Sequence, residues 1–147
     1  MKCREATLAD IPGMQRIRGA VTENRLSDPA LVTDAAVADY ITRRGKGWVC
    51  EEDGSLAGFA IVDLGGHSVW ALFVDPGWEG TGIGKKLMGA LLSWYFERSR
   101  ETIWLSTAPG TRAEIFYARN GWIASGSTRT GEILFEMHYR DWQTSKP

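Results

Sequence analysis

Gly80-Thr81-Gly82-Ile83-Gly84-Lys85-Lys86 joins an apolar strand-like segment, Val69 to Val74, to a longer segment with an apolar face, Gly82 to Arg98. Glycines at alternate positions leave the backbone bare, so a ligand oxygen can approach the amide N–H groups without meeting a Cβ. A helix that starts inside such a turn adds unpaired N–H donors and the positive end of its dipole. These are worth roughly 0.3–1 kcal/mol to an exposed anion and up to ~2 when partly buried. Lys85 and Lys86 strengthen the reading, because two cations in a first turn oppose that dipole unless an anion sits there. The plainer alternative is a glycine-rich turn with two solvated lysines. Behind the turn, Ile83, Leu87, Met88, Leu91, Leu92, Tyr95 and Phe96 recur at the three-and-four spacing of a helix packed on a core.

The turn reads as a phosphate socket, and the spacing of its residues excludes two owners. A P-loop needs Gly, four residues, then Gly-Lys-Ser/Thr. Here the first position is Glu79 and the last is Lys86, so the first glycine and the magnesium-binding hydroxyl are both missing. A dinucleotide fingerprint needs Gly-x-Gly-x-x-Gly near the start of a βαβ unit. This run is Gly-x-Gly-x-Gly and lies past the midpoint of the chain.

At 147 residues the chain is expected to form one domain, 1–147, with enough core to fold without a staple. A formal net charge of −1 and no basic run with interleaved aromatics argue against nucleic acid as a partner. Cys3 and Cys50 do not make a zinc pattern, so no metal is expected and both are read as buried or inert thiols. The polar start Met1-Lys2-Cys3-Arg4-Glu5 has no signal core, and no stretch approaches the ~18–20 apolar residues of a membrane span. The expectation is a cytoplasmic protein with no membrane partner. Seven tryptophans are read as core filling, with an aromatic acceptor pocket as the alternative.

Along the chain, Lys2 to Ala6 reads as a strand, and Thr7 or Asp10 caps a helix through about Ala20 with Pro12 in its first turn. Glu23 to Pro29 is a polar connection. A second helix starts after Thr33, ends near Gly45 and turns Val37, Tyr40 and Ile41 inward. Trp48–Glu51 and Leu56–Asp63 are strands around the Asp53-Gly54 turn, and Gly65-Gly66 leads to a third, Ser68–Val74. Thr102–Thr107 follows the central helix as a strand parallel to its predecessor. Thr111 to Glu114 is a capping box for a short helix that ends at Asn120-Gly121. Trp122–Ser125 and Glu132–Tyr139 close the chain as a strand pair. The order β-α-α-β-β-β-α-β-α-β-β describes an α/β (α+β) domain with a mixed, mostly antiparallel sheet of about seven strands and four helices.

Glu79-Gly80-Thr81-Gly82-Ile83-Gly84, led by Val74-Asp75-Pro76, resembles the acyl-CoA loop of the GNAT superfamily of N-acetyltransferases, Gln/Arg-x-x-Gly-x-Gly/Ala. Ala113-Glu114-Ile115-Phe116-Tyr117-Ala118-Arg119-Asn120-Gly121-Trp122 is similar to the family's second signature, and Arg4 to Pro12 to its usual opening, so the likeness spans essentially the whole chain. The resemblance implies the GNAT fold, acetyl-CoA as cosubstrate and, as acceptor, a primary amine of a small molecule or of a peptide or protein: a polyamine, an aminoglycoside, an amino acid, a peptide N-terminus or a lysine side chain. It implies cofactor contacts from Leu72, Phe73, Val74, Glu79, Gly80, Thr81, Gly82, Ile83, Gly84, Lys85 and Lys86. Where the family has Gln or Arg this chain has Glu79, and a carboxylate is unfavourable beside a pyrophosphate. Lys85, Lys86 and the loop amides are therefore expected to supply most of the grip.

Acyl transfer to an amine needs a held thioester, a neutral amine, a stabilised carbonyl oxygen and a proton for the thiolate. The pantetheine arm is expected to pair with the edge of Leu72-Phe73-Val74 like an added strand. Tyr117 is the candidate general acid, since a phenol stays protonated at neutral pH. The strand before the socket has none of the family's glutamate bases; His67 is the nearest titratable group, with Glu51, Asp75 or a water chain as alternatives. Asn24, Arg25, Asp28 and Arg112 are candidates for the acceptor site, with solvated loop residues the alternative. The rival to an enzyme is a CoA-binding sensor or subunit without turnover. Domains of this fold often pair through C-terminal strands, which leaves a homodimer open.

Overall fold

The computed structural model describes residues 1–21 and 32–145. Seven strands form one sheet in the order β1-β2-β3-β4-β5-β7-β6. They are β1 (Lys2–Glu5), β2 (Gly45–Glu52), β3 (Ser55–Asp63), β4 (Ser68–Val74), β5 (Ile103–Thr107), β6 (Ile123–Ser127) and β7 (Ile133–Met137). Every neighbouring pair is antiparallel except β4 and β5, as a helical crossover between them requires. Helices α1 (Ile11–Ala20) and α2 (Asp34–Asp39) lie on one face. On the other lie α3 (Ile83–Arg98), α4 (Arg112–Arg119) and α5 (Tyr139–Ser145). This is the mixed, mostly antiparallel sheet expected from the sequence, with one helix more: the last strand stops at Met137 and the chain turns into α5. Tyr139 and Trp142 pack there on Phe96 of α3, with ring centroids 5.6 and 5.0 Å away.

Side-chain periodicity accounts for both cores. Ile11, Met14 and Ile17 of α1 meet Val37 and Ile41 over Val49, Phe59 and Ile61, the residues that β2 and β3 present to that face. Opposite, all seven apolar residues of the α3 stripe are buried. At ~1.5–3 kcal/mol each, that stripe contributes ~10–20 kcal/mol of burial before the entropy of ordering the chain. The start of α1 is tied to β1: Arg4 donates from both terminal nitrogens to Asp10 at 2.8 Å, and Asp10 accepts the Thr7 backbone N–H at 2.7 Å.

The cysteines are not free thiols. Cys3 and Cys50 are cross-strand partners in the β1–β2 ladder and form a disulfide of 2.05 Å. Their separation of 47 residues in sequence hides this, because antiparallel pairing brings the two Cα atoms to 4.0 Å. Cys50 is buried but Cys3 lies on the exposed edge strand. Among the described residues, no helix is long and apolar enough to cross a membrane.

Candidate active site

The site is built where β4 and β5 part. β4 pairs with β3 along its length but meets β5 at a single ladder position, Ser68 opposite Trp104. Ile61 and Val62 of β3 face Ala71 and Val69, which leaves Trp70 as an extra residue. Such a bulge bends and twists its strand. The remaining ties between the two strands sit at the same end: the Trp104 backbone N–H donates to His67 O at 2.9 Å and its indole N–H to Gly66 O at 3.0 Å. Beyond Trp70, the β4 edge that faces β5 has no strand partner among the described residues.

The gap opens as a cavity of about 700 Å³. β4 from Val69 to Val74 makes one wall, and Leu105, Ser106 and Thr107 of β5 with Phe116 and Tyr117 of α4 make the other. The glycine loop forms its mouth through Glu79, Gly80 and the run Gly82–Lys85. Gly80 and Gly82 hold φ of +78° and +87°, a region that L side chains enter at a cost of about 1–2 kcal/mol. Gly84 answers a different need, because a Cβ there would stand 3.3 Å from the Phe116 ring. No side chain caps the N-terminus of α3, so its first-turn N–H groups are left to an anion. These features fit a diphosphate at the mouth.

The structure brings most of the expected cofactor residues together and separates others. Leu72, Phe73, Val74, Glu79, Gly80, Gly82, Ile83, Gly84 and Lys85 line the cavity; Thr81 and Lys86 do not, and the Thr81 hydroxyl turns back to donate to Trp78 O. Glu79 is not left to face an anion alone. Arg112, at the start of α4, places Nε 3.3 Å from Glu79 Oε2, and both residues line this cavity. Arg112 thus stands at the loop, with Lys85.

Tyr117 is a wall residue of the cavity and is buried against Phe116, Trp122 and Phe135, with ring centroids 5.4, 5.9 and 5.8 Å away. That burial pushes its phenol well above the ordinary value, so the hydroxyl keeps its proton throughout the physiological range.

His67 stands elsewhere. It occupies the turn before β4, outside the cavity and at the opposite end of the strand from the loop, with its Nδ1 2.8 Å from Tyr95 Oη of α3. Its φ of +55° is that of a turn residue. Glu51 accepts from Arg4 Nε at 3.1 Å. Asp75 accepts the Gly77 N–H at 2.9 Å and pairs with Arg16, and these two contacts lower its pKa. Asn24, Arg25 and Asp28 lie outside the described residues.

A second cavity of about 200 Å³ opens beside the first. Val69, Trp70, Phe73 and Ser106 line both, so the two share a wall made of β4 and β5 residues. Arg18, Ser68, Trp104 and Glu132 complete the second one. Sequence reasoning passed over Arg18, Trp70, Ser106 and Glu132. One signal was present for Arg18: it follows Met14 by four residues and so shares its buried stripe.

A family model described as the acetyltransferase (GNAT) family matches residues 15–122. No curated protein matches the sequence. Among solved structures, a PaiA N-acetyltransferase from Thermoplasma acidophilum in complex with coenzyme A is similar at a TM-score of 0.81 and 15% identity, covering 94% of this chain and 98% of that one. A GNAT-family acetyltransferase from Staphylococcus aureus Mu50 gives 0.80 and 17%, covering 94% and 98%. The ribosomal-protein-S18-alanine N-acetyltransferase from Escherichia coli gives 0.72 and 19%, covering 94% and 93%. At these identities the structures establish the fold alone, while the family model covers most of the chain. By its glycine loop, its parted strands and the span of that match, the chain belongs to the GNAT acetyltransferase family.

Proposed function

We propose that this chain, acting as one domain, transfers an acetyl group from acetyl-CoA to a primary amine. The observation that carries the reading is the cavity between the parted strands β4 and β5, with an anion-ready loop at its mouth and a second cavity beside it for an acceptor. The coenzyme A bound to the Thermoplasma protein of the same fold supports it.

In this reading the loop amides, Lys85 and Arg112 hold the diphosphate, and the unpaired β4 edge receives the amides of the pantetheine arm. A backbone N–H of that edge donates to the thioester oxygen as negative charge builds there. The amine nitrogen attacks the carbonyl carbon and the C–S bond breaks. The Tyr117 hydroxyl donates to the departing sulfur, and the proton of the amine leaves through water. Full proton transfer from a phenol of pKa near 10 to a thiolate of pKa about 8.5 is uphill by ~2 kcal/mol, and burial raises that further. Tyr117 therefore acts chiefly as a hydrogen-bond donor in the transition state.

Calorimetry with acetyl-CoA, CoA and ATP, beside a free-thiol assay over an amine panel, tests the proposal. Binding of acetyl-CoA with amine-dependent thiol release is expected. Binding without release from any amine would make the chain a CoA sensor, and preference for ATP would refute the reading at its root.

A further inference from the structure

Arg18 is the one cation lining the second cavity among the described residues, and no carboxylate there pairs with it. It is buried to 9% exposure on α1, and its Nε and Nη2 have no hydrogen-bond partner. Its guanidinium instead lies over aromatic rings, 4.9 Å from the Phe73 centroid, 5.3 Å from Trp70 and 5.7 Å from Phe59. Taking a cation out of water without a hydrogen-bonded anion is costly. The two empty nitrogens are also a matched set. Nε–H and the adjacent Nη2–H point the same way along one edge of the guanidinium and form a fork that fits the two oxygens of one carboxylate.

The rest of the cavity limits what that carboxylate belongs to. Glu132 contributes a carboxylate of its own, accepting the Ser106 hydroxyl at 3.0 Å, and no second cation lines the space among the described residues. A dianion would meet one positive and one negative wall; a zwitterion finds a complement for each end. The volume of about 200 Å³ suits a small molecule, and Ser106, Trp70 and Phe73 connect it to the transfer slot.

From this we infer that the acceptor is a small amine bearing a carboxylate, an amino acid in the broad sense, whose carboxylate is drawn to the Arg18 guanidinium beside Trp70 and Phe73 while its amine reaches the slot beside Ser106 and Glu132. The inference rests on the acetyltransferase reading and narrows it.

The test is a free-thiol assay with acetyl-CoA and matched acceptors: the L-α-amino acids, β-alanine and γ-aminobutyrate, each beside its carboxamide, with O-phosphoethanolamine as a phosphate-bearing control. Wild-type protein is expected to favour at least one carboxylate over its amide by about 100-fold in kcat/KM, mostly through KM, because an amide leaves the buried fork half paired. Arg18→Met and Arg18→Gln should both reduce that preference to within about threefold, with the change carried mostly by KM for the carboxylate-bearing acceptor. Equal use of acid and amide, preference for the phosphate, or discrimination that survives in both variants overturns the inference. So does turnover of none of the carboxylate-bearing amines. Turnover of amides alone leaves the acetyltransferase reading standing, whereas failure of acetyl-CoA to bind removes both.

Discussion

Replacing Arg18 by methionine should make the protein more stable, the reverse of what deleting a buried polar side chain usually does. Burial pushes the Arg18 guanidinium well below its ordinary value, down to about 10. At 1.36 kcal/mol per pH unit, holding the charge inside costs about 3 kcal/mol. The three ring faces at 4.9–5.7 Å return ~2 kcal/mol, leaving a net penalty of ~1 kcal/mol. Methionine keeps an unbranched apolar stem against Phe59, Trp70 and Phe73 without the charge. Arg18→Met should therefore gain about 1 kcal/mol, a rise in Tm of roughly 2–4 °C for a chain of this size. The sign with pH follows: the folded pKa lies below the unfolded one, so the penalty is present in full below about pH 10 and fades only above it. The gain should accordingly stay level from pH 5 to 9. Urea melts of both proteins across that range check it. A loss of more than 1 kcal/mol would mean that the guanidinium is satisfied within the folded chain, and the empty-fork argument would fail.

Three further outcomes are expected. Tyr117→Phe should lower kcat by about 100-fold with acetyl-CoA affinity nearly unchanged, because only the transition state uses its hydroxyl; wild-type turnover removes Tyr117 from the reaction. Arg112→Ala should weaken acetyl-CoA binding by roughly 3–10-fold by exposing Glu79 to the diphosphate, and Glu79→Gln in that background should recover most of the loss. Equal losses in the single and double variants, measured by calorimetry, would dissolve that coupling. Asp10→Asn should cost about 1–3 kcal/mol at pH 7. Its carboxyl is held below the usual range, first by Arg4, so its contribution is present above the unfolded pKa and is lost as pH falls through the folded one. Urea midpoints of wild type and Asp10→Asn should converge as pH falls below the usual carboxylate range, and a constant gap would contradict the assignment.

The elements with local signals were legible in the sequence. The stripe from Ile83 to Phe96, the Asp53-Gly54 turn and the Thr111 cap each depend on residues within a few positions of one another, and each is where the pattern put it. What escaped depends on partners distant in sequence. The disulfide needs the β1–β2 register, and α5 is a short polar segment made a helix by Phe96. The Trp70 bulge is hidden in an unbroken apolar run, Val69 to Val74, whose alternation cannot reveal one extra residue. At the candidate site, the loop glycines could be read because backbone chemistry demands them. The Glu79–Arg112 pair and the Arg18 cavity could not, because they join a loop to a helix start and a helix to two strands. His67 was placed near the reaction by its nearness in sequence to β4, although a seven-residue strand separates it from the loop.

That distance gives His67 another kind of influence. The two halves of the sheet, β1 to β4 and β5 to β6, touch at one ladder rung, as the arms of a clothes-peg touch at the spring. His67 sits at that pivot, with its carbonyl gripping the far arm through Trp104 and its ring fastened to Tyr95 of α3. A small tilt there is multiplied along the arms. A substitution at His67 would accordingly alter the width of the slot at its open end, a full strand away from the glycine loop.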